Sequence, residues 1–187
     1  MNLPGPQHLG LAYLVSELLL TITRRSRGTG TRQDRSTLGV LWLVIMLSVA
    51  ASLYVALYWP AAALPYREGR RITAVVLFLS GIAVRWWSII VLGRFFTVDV
   101  QIARDHELVD HGPFRVVRHP SYTGVLLAFV GFGLALGNWA AMLVLLLPIF
   151  VAFVRRMNVE EEALTAALGE RYVNYMQRTK RLVPGVY

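Results

Sequence analysis

Three uncharged runs set the terms for this chain. Residues 38–60 hold no charged side chain, residues 72–92 hold only Arg85, and residues 122–154 form an apolar run broken by Gly137, Asn138 and Trp139. A bilayer core is crossed by about 20 helical residues. The first two runs therefore read as transmembrane helices. The third is too long for one crossing, and a Gly-Asn pair is a turn signal, so it reads as a helical hairpin with arms over 120–136 and 139–156. A weaker apolar stretch, residues 9–22, contains Glu17 and reads as a first span or a helix lying in the interface. It does not resemble a signal peptide, because no basic segment precedes it and no small-residue cleavage site follows. The expected fold class is all-α and integral to the membrane, with about five transmembrane helices, the last two forming the hairpin.

Charge supports the same reading. Only 16% of residues are charged, against roughly 25% in soluble domains. The apolar content, with only 15 Gly and 8 Pro, excludes a disordered or collagen-like chain. There are no cysteines, which removes disulfides, thiolate metal sites and cysteine nucleophiles together. The net charge is +8, and its distribution is uneven. Arg24, Arg25, Arg27, Arg32 and Arg35 follow the first segment, Arg94, Arg104, Arg115 and Arg118 follow the third, and Arg155, Arg156, Arg171, Arg178, Lys180 and Arg181 follow the fifth. The opposite side has Arg67, Arg70 and Arg71 alone. Cationic loops stay cytoplasmic, so the N-terminus is expected outside and the C-terminus inside. The basic excess then serves topology and contact with anionic membrane lipids; no pattern of a nucleic-acid reader accompanies it, and no nucleic-acid partner is expected.

Residues 1–187 read as a single domain without internal repeats. Residues 1–92 are scaffold helices with little polar chemistry, while residues 93–187 hold nearly all the polar groups. Within the connector, residues 97–102 partly alternate and suggest a short extended piece, and Gly112-Pro113 is a turn. His106, Glu107 and His111 come close to a zinc-protease helix, but that motif needs histidines four apart. Here they are five apart, roughly 140° round a helix, so no metal is expected. Gly131-Phe132-Gly133 follows no strand and lies in an apolar helix, which favours close helix packing over a dinucleotide fingerprint.

His119-Pro120 is more informative. Proline suits the first helical position, where its missing N–H costs nothing. The first arm of the hairpin would then begin with free N–H groups from Ser121 and Tyr122, making with Arg115, Arg118 and His119 a place for an anion. The same residues could equally anchor phospholipid headgroups. Arg156 and Glu160 are four apart and share a helix face. The run Glu160-Glu161-Glu162 is either a solvated face or a cluster suited to a cationic or hydroxyl-rich ligand. Arg85 and Glu17 are intramembrane charges and so functional candidates, although Arg85 is near enough to the end of its span to snorkel. Trp59, Trp86, Trp87 and Trp139 read as interface anchors.

Three ordered blocks carry a resemblance. They are Gly93-Arg94-Phe95-Phe96-Thr97; His106, Leu108, Val109, Gly112, Pro113 and Phe114 with His119-Pro120-Ser121-Tyr122 and Gly124; and Arg156 with Glu160-Glu161, Gly169, Tyr172 and Tyr175. Over roughly residues 72–187 the chain resembles the isoprenylcysteine carboxyl methyltransferase family of integral membrane enzymes. The resemblance implies S-adenosylmethionine, leaving as S-adenosylhomocysteine, bound at the cytoplasmic foot of the hairpin beneath a cap of connector and C-terminal helix. It implies that Gln101, His106, Glu107, Leu108, Val109 and Phe114 line the cofactor. His119, Pro120, Ser121 and Tyr122 would hold its amino-acid end, Glu160 with Glu161 would contact it, and Arg156 would face the methyl acceptor. Phe114 stands where the family often has Tyr, so stacking replaces a hydrogen bond there. A lipophilic acceptor would enter from the bilayer. Its carboxylate is already ionised, so catalysis would consist mainly of alignment, which can contribute about 7 to 11 kcal/mol. Two alternatives remain at this stage: a phospholipid-type amine N-methyltransferase, and a non-catalytic lipid-binding scaffold.

Overall fold

The computed structural model describes residues 3–23, 36–66, 68–96 and 107–187. Among the described residues the chain is helical, with α1 (Pro6–Thr23), α2 (Ser36–Tyr58), α3 (Glu68–Leu92), α4 (Pro120–Leu136), α5 (Trp139–Leu168) and α6 (Glu170–Arg178). Short 3-10 turns cover Pro60–Ala62, Gly93–Phe95 and Gly112–Arg115, and the described residues contain isolated β-bridges but no strand. Among the described residues three helical segments are long and apolar enough to cross a membrane: Leu38–Tyr58, Glu68–Phe95 and Trp139–Leu168. The apolar helix α4 is shorter, at 17 residues. The extended piece expected at 97–102 lies outside the described residues.

Local sequence explains the boundaries. Pro120 opens α4, and Gly137 closes it at φ 69°, a left-handed conformation in which glycine carries no Cβ penalty. Asn138 then caps α5, accepting the Ala141 N–H at 2.9 Å, while its amide donates to the Trp59 carbonyl at 2.9 Å. The Leu64 N–H donates to the Gly137 carbonyl at 2.7 Å, so the α4–α5 turn is stitched to the α2–α3 connection. The first arm has the expected bounds. The second continues past residue 156 to Leu168, because the stretch rich in Glu, Ala and Leu favours helix and no glycine interrupts it before Gly169.

Packing follows the small residues. Helix α3 lies against α4, α2 against α5, and α4 against α5, while α1 touches α3 and α4. A Cβ on Gly81 would stand 2.4 Å from the Ala128 nitrogen, one on Gly124 would stand 2.6 Å from the Gly81 carbonyl oxygen, and one on Gly131 would stand 2.5 Å from the Ala74 carbonyl oxygen. The backbones of α3 and α4 therefore touch directly, as small-residue seams allow in lipid. This accounts for Gly131 as a packing residue, with Gly133 against Met142. The core joins Leu9 and Tyr13 of α1, Leu41 and Ile45 of α2, Phe78 of α3, Phe129 and Phe132 of α4, and Leu145, Ile149 and Phe153 of α5.

Helix α1 has one inward face, with Leu9, Tyr13, Ser16, Glu17 and Leu20 buried. Its polar ties run to α3. The Arg85 guanidinium grips Glu17 with both carboxylate oxygens, at 2.6 and 2.7 Å, and donates to the Ser121 hydroxyl at 3.1 Å. Snorkelling of Arg85 is thereby corrected: its charge is matched inside the bundle by an acid from another helix. The Trp86 indole N–H donates to Ser16 at 2.8 Å, so this tryptophan ties α3 to α1.

The seam predicts that Gly124→Ala forces α3 and α4 apart. Overpacking of this kind costs about 1–3 kcal/mol. Thermal unfolding in detergent should show a lowered midpoint, whereas Gly39→Ala, where a Cβ meets nothing within 4 Å, should leave it unchanged or raise it slightly.

Candidate active site

The start of α4, the C-terminal third of α5 and the C-terminal tail converge on one histidine. His119 is 6% exposed and sits between the carboxylates of two consecutive residues. Its Nε2 lies 3.1 Å from Glu161 Oε1, and its Nδ1 lies 3.5 Å from Glu160 Oε2. Facing an anion on each side, both ring nitrogens are best satisfied as donors, which requires the imidazolium. Burial opposes that charge, but hydrogen bonds to Glu160 and Glu161 and their negative charges outweigh it, and the His119 pKa is raised above 6.5.

The two glutamates part company beyond this point. Successive helical residues point about 100° apart. Glu161 faces the tail, where Oε1 accepts from Arg118 Nε at 2.9 Å and Oε2 accepts from Arg181 Nη2 at 2.6 Å. Arg118 also donates to the carbonyls of Met176 and Thr179. Backbone bonds complete the join: the Arg118 N–H donates to the Lys180 carbonyl at 2.7 Å, and the His119 N–H to the Arg181 carbonyl at 3.0 Å. Glu160 faces a cavity. Its Oε1 accepts from the Tyr122 hydroxyl and from Arg156 Nε, the latter at 3.2 Å, which realises the shared face expected from their spacing.

That cavity has a volume of about 460 Å³, within the range of small-molecule sites. Its polar end carries His119, Ser121, Tyr122, Arg156 and Glu160; aromatic groups from Phe114, Tyr172 and Tyr175 stand beside them. Its apolar end runs between α1 and α2 along Leu20, Leu38, Leu41, Trp42 and Ile45, with Glu17 and Arg85 also in the wall.

Most of the residues expected from sequence gather here. Leu108, Val109, Phe114, His119, Pro120, Ser121, Tyr122, Arg156 and Glu160 all line the cavity. Glu107 is exposed and is not among the lining residues, and Glu161 is turned to the tail. Gln101 and His106 lie outside the described residues. The anion site is altered in detail. The Tyr122 N–H, expected free, donates to the His119 carbonyl at 3.0 Å, and Arg118, expected to face an anion, is engaged by Glu161 and two carbonyls. Phe114 keeps a polar link despite lacking a hydroxyl, because its carbonyl accepts from Tyr175 at 2.6 Å. Sequence reasoning missed Arg181 and the pairing of Glu17 with Arg85, since both depend on contacts between distant segments. Among the described residues no cluster of His, Asp and Glu could hold a metal ion.

Two outcomes follow. Removing the Glu161 charge by Glu161→Gln takes from Arg118 its carboxylate partner and leaves His119 with one carboxylate instead of two; loss of one partner in a buried site costs about 3–5 kcal/mol, readable as a lowered unfolding midpoint. Since the folded pKa of His119 is raised, its contribution to stability is fully present below the ordinary value of 6.5 and is lost as pH rises through the folded value. The thermal midpoint should fall as pH rises above 6.5 through the folded value, and His119→Asn should remove this part of the pH dependence.

A profile of the Phospholipid methyltransferase family matches residues 70–171, more than half of the chain. Protein-S-isoprenylcysteine O-methyltransferase B of Arabidopsis thaliana is 32% identical over 133 residues, covering 60% of this chain and 68% of that protein. Protein-S-isoprenylcysteine O-methyltransferase A of the same plant is 32% identical over 114 residues, covering 60% of this chain and 58% of that one. The chain thus spans about three fifths to two thirds of the length of these relatives. A solved eukaryotic intramembrane Ras methyltransferase, an isoprenylcysteine carboxyl methyltransferase, shares the fold with a TM-score of 0.71 at 21% identity, over 98% of this chain and 68% of its own. A buried acid–histidine hub beside a half-polar, half-apolar cavity, carried on these membrane helices, thus coincides with a sequence and fold likeness, and the chain belongs to the isoprenylcysteine carboxyl methyltransferase family.

Proposed function

We propose that residues 1–187 act as one membrane-embedded methyltransferase unit that moves a methyl group from S-adenosylmethionine to the carboxylate of a lipophilic, isoprenylcysteine-like acceptor. The observation that carries this reading is the continuity of the cavity: one wall joins Glu160, Arg156 and Tyr122 to the apolar cleft between α1 and α2. A water-soluble donor and an oil-soluble acceptor need such a meeting place. In this reading about five helices cross the bilayer, with the N-terminus outside and the polar end of the cavity on the cytoplasmic side, in keeping with the cationic loops.

The residues present suit the cofactor. Glu160 is partly exposed to the cavity and offers an anion to a cationic ligand, while the rings of Phe114, Tyr172 and Tyr175 offer faces for a nucleobase. His119, Pro120, Ser121 and Tyr122 would hold the amino-acid end, with Leu108 and Val109 covering the base. Because both His119 nitrogens face carboxylates, its part is to set the direction of Glu160 and to add positive charge near a ligand carboxylate. Bound there, the cofactor supplies an activated methyl group on a sulfonium. The chain has little proton chemistry left to do. Arg156, anchored by Glu160, would hold one acceptor oxygen with its planar fork and leave the other aimed at the methyl group. Leu20, Leu41 and Ile45 would keep water from the reacting end.

A second reading, methylation of a phospholipid amine, draws on the description of the family profile and on the acids Glu17 and Glu160 in the cavity wall. Base lability separates the two, since a carboxyl methyl ester is hydrolysed by mild alkali and an N-methyl group is not. The expected result is alkali-labile label transferred from methyl-labelled S-adenosylmethionine to S-farnesylcysteine; alkali-stable label in lipid amines would overturn it. Calorimetry should show S-adenosylhomocysteine binding that Glu160→Gln weakens about tenfold to a hundredfold, the worth of a hydrogen bond to a charged group. Arg156→Lys should keep that binding while lowering kcat/KM for the acceptor by about a hundredfold through misalignment.

A further inference from the structure

Glu17 is an acid placed where an acid is costly. It lies in α1, in the wall of the cavity's apolar part, and its carboxylate fills the Arg85 fork with two short bonds. Arg85 in turn reaches Ser121, while the neighbouring residue Tyr122 bonds Glu160, which holds Arg156. Two guanidinium groups therefore meet the first turn of α4 from different helices. One of them, Arg156, is already assigned above to the acceptor's carboxylate. The other is occupied by a side-chain carboxylate of the chain itself.

Helix α1 is also lightly held. Most of its outward residues, including Leu11, Leu14, Leu18 and Ile22, are exposed, and its polar ties to α3 are Glu17 with Arg85, Ser16 with Trp86, and the Leu3 carbonyl with Arg71. Glu17 and Ser16 are neighbours, so the polar ties at the end of α1 nearest the cavity rest on a single pair of adjacent residues, beside the apolar packing of Tyr13 and Leu20. That end forms one side of the apolar cleft, through Leu20 and Thr21.

We propose that Glu17 is an internal stand-in for the acceptor's carboxylate. The incoming carboxylate takes the Arg85 fork from Glu17 on its way to Arg156, and the exchange unties α1 so that a lipophilic tail can pass between α1 and α2. The inference rests on the carboxylate reading given above. A low-dielectric wall holds one carboxylate per guanidinium comfortably, because a second would remain unpaired at large electrostatic cost. The exchange keeps one carboxylate in the fork and sends the Glu17 carboxylate to water, whereas an uncharged tail cannot drive it. Glu17 would thus select for acid acceptors. Once released it lies about one and a half turns from the end of α1, close enough to reach the polar edge.

The test uses the full chain in nanodiscs, with S-farnesylcysteine and its carboxamide as probes. Glu17→Gln removes the competitor and leaves Arg85 charged, so the KM for S-farnesylcysteine should fall about five- to tenfold, as expected when a population cost on binding is lifted. The kcat and the affinity for S-adenosylhomocysteine should stay within about twofold, since neither depends on the displaced state. An unchanged or higher KM with intact S-adenosylhomocysteine binding would overturn the stand-in role and leave Glu17 a static prop. Should the variant fail to bind S-adenosylhomocysteine, the unaltered Glu17 can be followed instead. The chain has no cysteines, so Leu19→Cys and Ile90→Cys give a clean pair of spin-label sites on α1 and α3. The distance between them should lengthen with S-farnesylcysteine but not with the carboxamide, and no change with either would overturn the proposal. A wild-type chain that methylates no carboxylate removes the functional reading and this inference together; one that methylates S-farnesylcysteine while Glu17→Gln leaves KM unmoved removes the inference alone.

Discussion

One imidazole held between two carboxylates organises everything on the polar face. Glu160 and Glu161 are neighbours in sequence, yet on a helix their side chains diverge, and only a group seated between them can touch both. His119 is that group, at 3.5 and 3.1 Å. The arrangement divides labour between similar residues. Glu161 gathers Arg118 and Arg181 and locks the tail over the connector, while Glu160 presents its carboxylate to the cavity beside Tyr122 and Arg156. The charge on His119 serves both, so the structural lock and the candidate binding group share one positive charge.

The membrane part supplies position. Direct backbone contact between α3 and α4 at Gly81, Gly124 and Gly131 brings Arg85 to the first turn of α4, where it meets Ser121. Larger residues at the seam would move a charged group away from the cavity as well as loosen the bundle. The α4–α5 turn, capped by Asn138 and tied to Trp59 and Leu64, fixes the far end, so α5 delivers Arg156 and Glu160 at a set height.

Much of this was legible in sequence, and the limits have physical causes. The bounds of α4 could be read because Pro120 and Gly137 act locally, through a missing N–H and a left-handed φ. The Arg156–Glu160 pair could be read because helical geometry fixes neighbours four apart. The end of α5 could not, since hydropathy marks where lipid stops, not where a helix stops. Arg85 was misread as snorkelling because its partner, Glu17, is 68 residues away. Arg118 was misread as an anion ligand for the same reason, its partner Glu161 being 43 residues on. Long-range pairing of charges leaves no periodic trace. The family likeness brought the right segments together, and only coordinates could show which of two adjacent glutamates faces the cavity.

The central claim is that donor and acceptor meet in a single chamber at the junction of Tyr122, Arg156 and Glu160. A structure of the nanodisc-embedded chain with S-adenosylhomocysteine and S-farnesylcysteine tests it most directly. The nucleoside is expected beside Glu160 and the rings of Phe114, Tyr172 and Tyr175, and the farnesyl chain in the cleft between α1 and α2 with its carboxylate toward the sulfur. Nucleoside density outside this cavity, or a farnesyl chain lying on a different face of the bundle, would contradict it.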